Sequence, residues 1–239
     1  MLRRACRMPH NETRNSVRLN KYLATNFGVS RREADQLISD GQVLLNGKVA
    51  KIGRRVEPGD QVSIAGEKVS VRKKQYLMLN KPCGYVCSRR KQGVSPTIYA
   101  LLPEKYHSLK SVGRLDKDSS GLILLSNDGD FAFRMTHPKF QKIKVYDVVL
   151  DKSLAPIHQQ MIADFGIQLP DGKSQLGLLQ QDRLERKAWE VTMSEGRNRQ
   201  IRRTFEAVGY RVVGLHRRIF GPYKLGKLAE GEFCEIEPQ

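Results

Sequence analysis

The order of strand-like and helix-like segments is the feature that most limits the fold of this chain. From residue 76 onward, short apolar runs with strand character outnumber helical runs and do not alternate with them regularly. A doubly wound fold would need a helix between successive parallel strands. The sequence therefore predicts an α+β domain over residues 76–239, built on a mixed, mainly antiparallel β-sheet.

The segments before residue 76 differ in character from that domain. Residues 1–16 are basic, have no apolar core typical of a secretory signal, and are predicted to be a disordered tail. An organellar transit peptide is the alternative for this stretch. Residues 17–71 are predicted to form a compact module, and residues 72–75 a linker.

Local patterns predict two helices and a hairpin inside the 17–71 module. Leu19 and Leu23 lie at helical spacing. Ser30 and Glu33 form a capping box at the start of a second helix. Asn-Gly at residues 46–47 lies between two strand-like runs, and this pair is a strong hairpin signal.

The charge of the chain indicates a polyanionic partner. Lys and Arg number 42 against 25 Asp and Glu, giving a net charge of +17. Nucleic acid is the first candidate, because neutralising phosphates releases counterions and drives binding; an acidic membrane surface is the second. No apolar run approaches the roughly 20 residues of a membrane-spanning helix.

Cysteine and histidine spacing predicts no metal site. The chain contains four cysteines, whose spacing matches no zinc pattern, and no two histidines have metal-ligand spacing. Reduced thiols in a cytoplasm are the simplest interpretation.

Basic residues at the start of the second predicted helix suggest a phosphate site. Arg31 and Arg32 would combine free helical N–H groups with two guanidinium groups. Two solvated arginines are the alternative. Residues 18–23 (RLNKYL), 30–34 (SRREA) and 45–47 (LNG) resemble an S4 RNA-binding domain. That resemblance implies binding to structured RNA, often ribosomal RNA, and the basic residues concerned are Arg18, Lys21, Arg31 and Arg32.

A carboxylate in a glycine-bracketed loop is the densest chemical signal in the sequence. Asp116 lies just before a predicted buried strand, with Arg114 and Lys117 close by. A cation within about 4–6 Å keeps a desolvated carboxylate ionised. A surface turn of mixed charge is the alternative from spacing alone. A serine-nucleophile site at Ser119 or Ser120 is disfavoured, because no G-x-S-x-G elbow is present.

Two other segments carry candidate functional residues. Residues 194–203 contain four arginines across a loop-to-helix junction, which is a good composition for contacting phosphates; an exposed basic face is the alternative. Tyr146 shares one strand face with Val148 and Leu150, so burial is predicted. A core role is usual for such a tyrosine, and stacking on an extruded base is the functional alternative.

These segments, in this order, resemble the motifs of one enzyme family. GRLDKD at residues 113–118, LNKP at 79–82, Lys144 with Tyr146, and EGRNRQIRR at 195–203 are similar to the motifs of RNA pseudouridine synthases of the small-subunit-type branch. With the S4 match, the resemblance covers residues 17–236. Asp147 departs from the pattern, since an apolar or aromatic residue is commoner there.

The resemblance implies a reaction and roles for named residues. Uridine in ribosomal RNA, free or in a pre-ribosomal particle, would be isomerised to pseudouridine without a cofactor or metal. Apart from the resemblance, a cytoplasmic monomer is expected, since nothing in the sequence suggests an assembly interface. Asp116 would be the catalytic carboxylate, acting on the sugar or base or removing a ribose proton. Arg202 would pair with Asp116, and Tyr146 would stack on the uracil. Arg114 would fill the gap left by the flipped uridine. The remaining residues expected to contact RNA are Lys81, Arg197, Arg199 and Arg203.

Two rival functions remain at this stage. A non-catalytic S4 protein would explain the charge and the first 70 residues, but it leaves the Asp116 loop and the larger domain without a role. A methyltransferase is disfavoured, because no glycine-rich cofactor loop follows a first strand.

Overall fold

The computed structural model describes residues 16–89, 93–182 and 184–239. The chain divides into two compact units, Met1–Lys73 and Lys74–Gln239. Apart from Ser16, the predicted basic tail lies outside the described residues. Arg72 donates its backbone N–H to Asn26 in the first unit, whereas Lys74 pairs with Asp128 of the second at 2.9 Å. The four residues predicted as a linker are thus divided between the two units.

The first unit consists of two helices and short antiparallel strands. Ser30 accepts a hydrogen bond from the Glu33 N–H, and the Glu33 carboxylate accepts one from the Ser30 N–H, which confirms the predicted capping box. The elements are β1 Val17–Arg18, α1 Leu19–Asn26, α2 Arg31–Ser39, β2 Val43–Leu45, β3 Lys48–Val49, β4 Arg55–Val56, β5 Val62–Ile64 and β6 Glu67–Lys68. The sheet order is β3-β2-β5-β6, and β1 pairs separately with β4.

The core of this unit comes from the residues that the helical spacing indicated. Leu19, Leu23 and Ile38 are buried together with apolar side chains of β2 and β5. Asn46 and Gly47 both have positive φ, 53° and 75°, and connect β2 to β3 as the sequence predicted.

The second unit is built around one large sheet. Among its described residues, short helices α3 Gly129–Thr136, α4 Pro156–Gln160 and α5 Gln200–Glu206 accompany the sheet, and α4 continues into a wider helical turn, Met161–Phe165. Single 3₁₀ turns occur at Ile98–Leu101, Glu104–Tyr106 and Pro138–Phe140. The strands are β7 Tyr76–Lys81, β8 Lys110–Val112, β9 Ser120–Ser126, β10 Lys144–Leu150, β11 Ile167–Leu169, β12 Gly172–Ser174, β13 Gly177–Gln180, β14 Ala188–Met193, β15 Val212–Phe220, β16 Tyr223–Lys224 and β17 Phe233–Glu235.

The strand order confirms the predicted α+β class with a mixed, mainly antiparallel sheet. The main path runs β13-β14-β10-β15-β9-β7-β17, with β8 added on β9 and β16 on β15. β15 and β9 are parallel, and the other neighbouring pairs are antiparallel. β11 and β12 form a separate hairpin.

Strand β9 is buried on both faces and connects two cores. Ile123 and Leu125 belong to a large cluster with Trp189 and Phe205, whereas Leu122 and Leu124 pack in a second cluster under α3. Burial on both faces explains why this strand is a continuous apolar run.

Helix α3 is the main difference from the sequence prediction. Asn-Asp-Gly at residues 127–129 has the composition of a turn, which predicts an end to β9 and no helix. Instead, Asp128 caps a helix by accepting hydrogen bonds from the N–H groups of Asp130 and Phe131. Phe131 and Met135 are buried, so tertiary packing stabilises this helix despite its turn-like start.

The parallel contact between β9 and β15 requires a glycine. Gly121 has φ +106°, and a Cβ there would lie 2.3 Å from the Arg217 carbonyl oxygen. Strand β15 can therefore approach the end of the loop that carries Asp116 closely.

Candidate active site

The Asp116 loop joins β8 to β9, and a buried lysine stabilises its end near β9 through hydrogen bonds. Lys81 is fully buried and donates from Nζ to the carbonyl oxygens of Pro82 (3.0 Å) and Ser119 (2.5 Å). Burial lowers the pKa of Lys81. The expectation that Lys81 contacts RNA is wrong, because its ammonium group is enclosed; it shapes the loop instead.

Asp116 itself remains accessible at the end of this loop. Its side chain is 34% exposed, and the nearest cation is Arg199, whose Nη1 lies 3.6 Å from Oδ2. Arg199 precedes α5 in a left-handed conformation, with φ +46°. The loop thus presents Asp116 to solvent with the Arg199 guanidinium group beside it, while the hydrogen bonds of Arg199 go to the more exposed Asp118, at 3.1 and 3.2 Å.

The predicted ion pair between Arg202 and Asp116 is absent. Arg202 instead lies 3.3 Å from the Asp118 carboxylate and donates to the carbonyl oxygens of Asp118 and Val212, both at 2.7 Å. Burial raises the pKa of Asp118, but the hydrogen bond from Arg199 and the charges of Arg202 and Arg199 outweigh it, so the net shift is downward. Arg202 therefore pairs with Asp118 and not with Asp116. Through these contacts Arg202 connects the loop to α5 and β15.

Asp116 and Tyr146 face the same cavity of about 310 Å³. Tyr146 is buried on β10, as its position on the inward face predicted. Arg114 is exposed and also lines the cavity. Three segments distant in sequence, the 113–119 loop, β10 and residues 193–201, therefore form one site. Other residues in its wall are Met135, His137, Met193, Ile201, Leu215 and Phe220.

Two cations in the cavity wall were not assigned a role from the sequence. Arg217 on β15 is 3% exposed, donates from Nε to the Leu122 carbonyl oxygen at 2.8 Å, and has no partner at Nη2. Lys144 on β10 donates to the carbonyl oxygens of Lys142 and Glu195, both at 3.1 Å. Leu215 and Arg217 are two residues apart on β15 and both are buried against the cavity, so strand alternation is the signal that could have identified Arg217.

Comparison with known proteins identifies the family. A family model described as RNA pseudouridylate synthase matches residues 75–207, and an S4 domain model matches residues 17–62. The chain belongs to the RNA pseudouridine synthase family. Asp116, Tyr146 and the 195–203 segment all lie inside the matched catalytic region.

Individual relatives match over nearly their whole length. The chain is 40% identical to ribosomal small subunit pseudouridine synthase A of Pasteurella multocida, covering 93% of this chain and 97% of that protein. It is 36% identical to ribosomal large subunit pseudouridine synthase B of Bacillus subtilis, covering 92% of each. A crystal structure of a pseudouridylate synthase aligns with a TM-score of 0.65 at 36% identity, covering 92% of this chain and 96% of the other.

Two arginines of the synthase unit that were expected to bind RNA instead bind oxygen atoms of the protein. Arg197 donates to the carbonyl oxygens of Asp171, Gly172 and Lys173, at 3.0, 2.8 and 2.8 Å. Arg203 pairs with the Asp171 carboxylate at 2.7 Å. Their guanidinium groups hold the β11–β12 hairpin, because Asp171 at its turn supplies the anion that was expected to come from RNA phosphate.

The S4 unit presents its basic residues differently. Arg18, Arg31 and Arg32 are exposed, and Lys21 is partly exposed. Arg31 and Arg32 occupy the first turn of α2, as the sequence predicted.

Within the described ranges, no three His, Cys, Asp or Glu side chains are grouped as a metal site. None of the helices in that part of the chain has the length and apolarity that crossing a bilayer requires.

Proposed function

We propose that this protein converts a uridine of ribosomal RNA to pseudouridine, with Asp116 as the catalytic carboxylate. The observation that carries the proposal is that Asp116 and Tyr146 line one cavity in a chain of the pseudouridine synthase family. The relatives named above act on ribosomal RNA according to their names, and they align over nearly the whole chain. A cytoplasmic, monomeric enzyme acting on ribosomal RNA or a pre-ribosomal particle is part of this proposal.

The shape of the cavity suits an isomerisation within one nucleotide. The C1′–N1 bond must break, the uracil must rotate, and C1′ must rejoin at C5. The base must stay enclosed between these steps, because its recombination relies on proximity. A volume of about 310 Å³ lies at the small end of ligand sites, which span roughly 300–1,000 Å³.

Asp116 has the exposure that contact with an incoming nucleotide requires. Its carboxylate would attack the ribose or base, or remove a ribose proton. Arg199, at 3.6 Å, would take the charge-stabilising role first expected of Arg202. Arg202 then serves as a positioning residue, because it reaches the reaction only through Asp118 and the loop.

A uridine must leave the RNA stack to reach this carboxylate. Tyr146 would stack on the extruded uracil from the buried side of the cavity. Arg114, exposed at its edge, would fill the space left in the RNA. Arg18, Lys21, Arg31 and Arg32 of the S4 unit would contact phosphates and position the substrate without reading the target base.

Release of tritium from RNA carrying [5-³H]uridine tests the proposal, because the C5 hydrogen is lost when C5 bonds to C1′. We expect release by the wild type on small- or large-subunit ribosomal RNA, and none by Asp116→Asn, which keeps the side-chain shape but removes the anion. RNA binding by the mutant should survive.

Asp118→Asn is the matched control, since it changes a carboxylate two residues away that holds arginines. It should retain measurable turnover. Turnover by Asp116→Asn comparable to that of Asp118→Asn would refute the assignment. A further pair, Tyr146→Phe and Tyr146→Ala, should show the smaller loss for Phe if stacking dominates.

A further inference from the structure

Lys144 and Arg217 lie next to Tyr146 on the inward face of the sheet. Tyr146 on β10 is directly opposite Arg217 on β15. Lys144 precedes Tyr146 by two residues and therefore shares its face. All three side chains line the cavity that contains Asp116.

The protein leaves the positive charge of this pair without an anion. Within the described residues, the hydrogen bonds found for both groups go to carbonyl oxygens, and both cations lie over the Phe220 ring, Arg217 at 4.7 Å and Lys144 at 5.5 Å from its centroid. Glu195 lies nearby, but its carboxylate is bound by Arg197 at 3.1 Å. Nη2 of Arg217 is buried and has no hydrogen-bond partner.

Such an arrangement is costly for the folded state. Burying an unpaired charge is unfavourable, and the buried Arg217 and the partly buried Lys144 repel each other. The consequence is visible at Lys144, whose pKa falls to about 8 through burial and the charge of Arg217, with Glu195 acting in the opposite direction. Groups strained in this way concentrate where a ligand supplies the missing partner.

We propose that Lys144 and Arg217 form an anion-stabilising pair that contacts the uracil and receives its negative charge when the glycosidic bond breaks. The inference rests on the proposed function. When C1′–N1 breaks, the electron pair stays with the uracil as a monoanion spread over N1, O2 and O4. C1′ meanwhile bonds to an Asp116 oxygen, or becomes doubly bonded to C2′ as Asp116 takes the 2′ proton. The anion is consumed when C5 bonds to C1′, as the C1′–Asp116 bond breaks or as Asp116 returns its proton to C2′. The C5 proton is then lost, and N1 takes up a proton from solvent.

The position of the pair favours the base over a phosphate as its ligand. A phosphodiester belongs to a strand that must leave the site on both sides, so it stays near the surface, where Arg114 and Arg199 are exposed. Arg217 is almost inaccessible, and Tyr146 beside it is buried. The part of a flipped nucleotide that reaches this depth is the base.

Single-turnover conversion of ribosomal RNA by Lys144→Met is the first test. Removing one preorganised donor to a developing anion typically costs about 10²–10³-fold in rate, so we expect a loss of about 10²-fold with an unchanged Kd for RNA. Lys227→Met, which removes an exposed lysine outside the cavity, should match the wild type. A rate equal to that of the wild type overturns the proposal. A drop in RNA affinity as large as the drop in rate also overturns it, in favour of a phosphate contact.

A stability measurement separates this role from a structural one. The folded protein binds the Lys144 proton with a pKa of about 8, below the ordinary 10.5 of the unfolded chain. The charged form is therefore disfavoured on folding, the cost is fully present below pH 8, and it fades as pH rises toward 10.5. Lys144→Met removes this cost together with the two hydrogen bonds to the Lys142 and Glu195 carbonyl oxygens, so we expect little change in the Tm at neutral pH while the rate falls. A lower Tm at neutral pH would indicate a structural lysine and overturn the proposal.

The pH dependence of the rate gives a third readout. The charged groups that face Lys144 are Arg217 from β15 and Glu195 from the segment before α5, while Asp116 and His137 line the same cavity. The single-turnover rate should fall as Lys144 deprotonates above about pH 8. Lys144→Arg should retain activity and shift that fall to higher pH. An unshifted fall contradicts the assignment.

Arg217 is tested through the substrate, because replacing a buried strand residue could prevent folding. RNA carrying 4-thiouridine at the target offers a weaker hydrogen-bond acceptor and a better leaving anion. The rate defect of Arg217→Lys and Lys144→Met should shrink with this substrate, as expected of groups in contact. Equal defects on both substrates would overturn the contact. A wild type that is inactive on unmodified ribosomal RNA would instead refute the proposed function, and the proposed role of Lys144 and Arg217 would fall with it.

Discussion

The two units of this protein use basic residues in opposite ways. In residues 16–73, Arg18, Arg31 and Arg32 are exposed. In residues 74–239, Arg114 and Arg199 stay exposed, but other basic residues of the family motifs are enclosed or held by the protein: Lys81 and Arg217 are buried, and Arg197 is bound by carbonyl oxygens of the β11–β12 hairpin.

A net charge of +17 therefore does not measure how many phosphates the protein binds. A cation binds phosphate only where the fold offers it no carbonyl or carboxylate. The exposed arginines of the S4 unit can contact a ligand. In the synthase unit, Lys81 and Arg197 instead form hydrogen bonds to protein oxygens and stabilise the structure around the active site.

Replacing Lys81 should produce the largest effect on stability. Lys81→Met leaves the carbonyl oxygens of Pro82 and Ser119 without a donor, and each unsatisfied buried group costs about 1–3 kcal/mol. With partial relief from burying an ammonium group, we expect a decrease of about 2 kcal/mol in the free energy of unfolding by urea denaturation. The salt dependence of RNA binding should not change.

Lys48→Met, at an exposed position of β3, is the control for Lys81→Met and should stay within about 0.5 kcal/mol of the wild type. If Lys81→Met instead keeps full stability and weakens RNA binding, the contrast between the two units fails at this residue.

An intermediate effect is expected for the exposed pair of the S4 unit. Arg31→Ala with Arg32→Ala should weaken RNA binding by about tenfold. It should also reduce the slope of log K against log salt by about 0.7–0.9 for each RNA phosphate that is no longer neutralised. The Tm should hardly change, because both side chains are exposed.

The matched variant for this pair is Arg211→Ala with Lys227→Ala, which removes the same charge from exposed positions of the synthase unit. An equal decrease in affinity in both double variants would show that the S4 arginines act only through net charge.

The smallest effect is expected from releasing Arg197 and Arg203. Asp171→Asn removes the carboxylate that both arginines contact. The hydrogen bond and charge of Arg203 hold the pKa of Asp171 below its usual value. The stabilisation is therefore present above the pKa of the unfolded chain and lost as pH falls through the lower folded pKa.

The difference in Tm between wild type and Asp171→Asn should accordingly be small at neutral pH and vanish in acid. A difference that persists below the folded pKa of Asp171 would mean that the pairs contribute nothing. Stronger RNA binding by Asp171→Asn at low salt would show that the released arginines can serve phosphate after all.

Local chemistry made most elements of this fold predictable from the sequence. The Ser30–Glu33 capping box, the Asn-Gly hairpin at 46–47 and the inward position of Tyr146 depend on neighbours within a few residues, and the structure confirms all three. Helix α3 was missed, because its start has the composition of a turn and its stability comes from burying Phe131 and Met135.

The sequence predicted which residues form the site, but it did not predict their ion pairs and hydrogen bonds. The motif identified Asp116, but it did not identify which arginine lies beside that carboxylate. Asp116 and Asp118 compete for Arg199 and Arg202, which follow them by about 80 residues in the sequence. Only the close approach of α5 to the loop decides that Arg202 contacts Asp118. Lys81 was misassigned for the same reason: enclosure by Pro82 and Ser119 is a tertiary property.

The parallel contact between β9 and β15 has a consequence for the order in which the protein matures during translation. His216 pairs with Ser120, and Arg217 with Gly121, almost 100 residues apart. The cavity wall cannot close until β15 has left the ribosome, and such distant pairings form slowly. The S4 unit needs only the first 73 residues, and domains synthesised first generally fold first. The nascent chain is therefore expected to fold its S4 unit well before β15 completes the wall of the cavity. A newly made molecule can then bind RNA before its active site has formed.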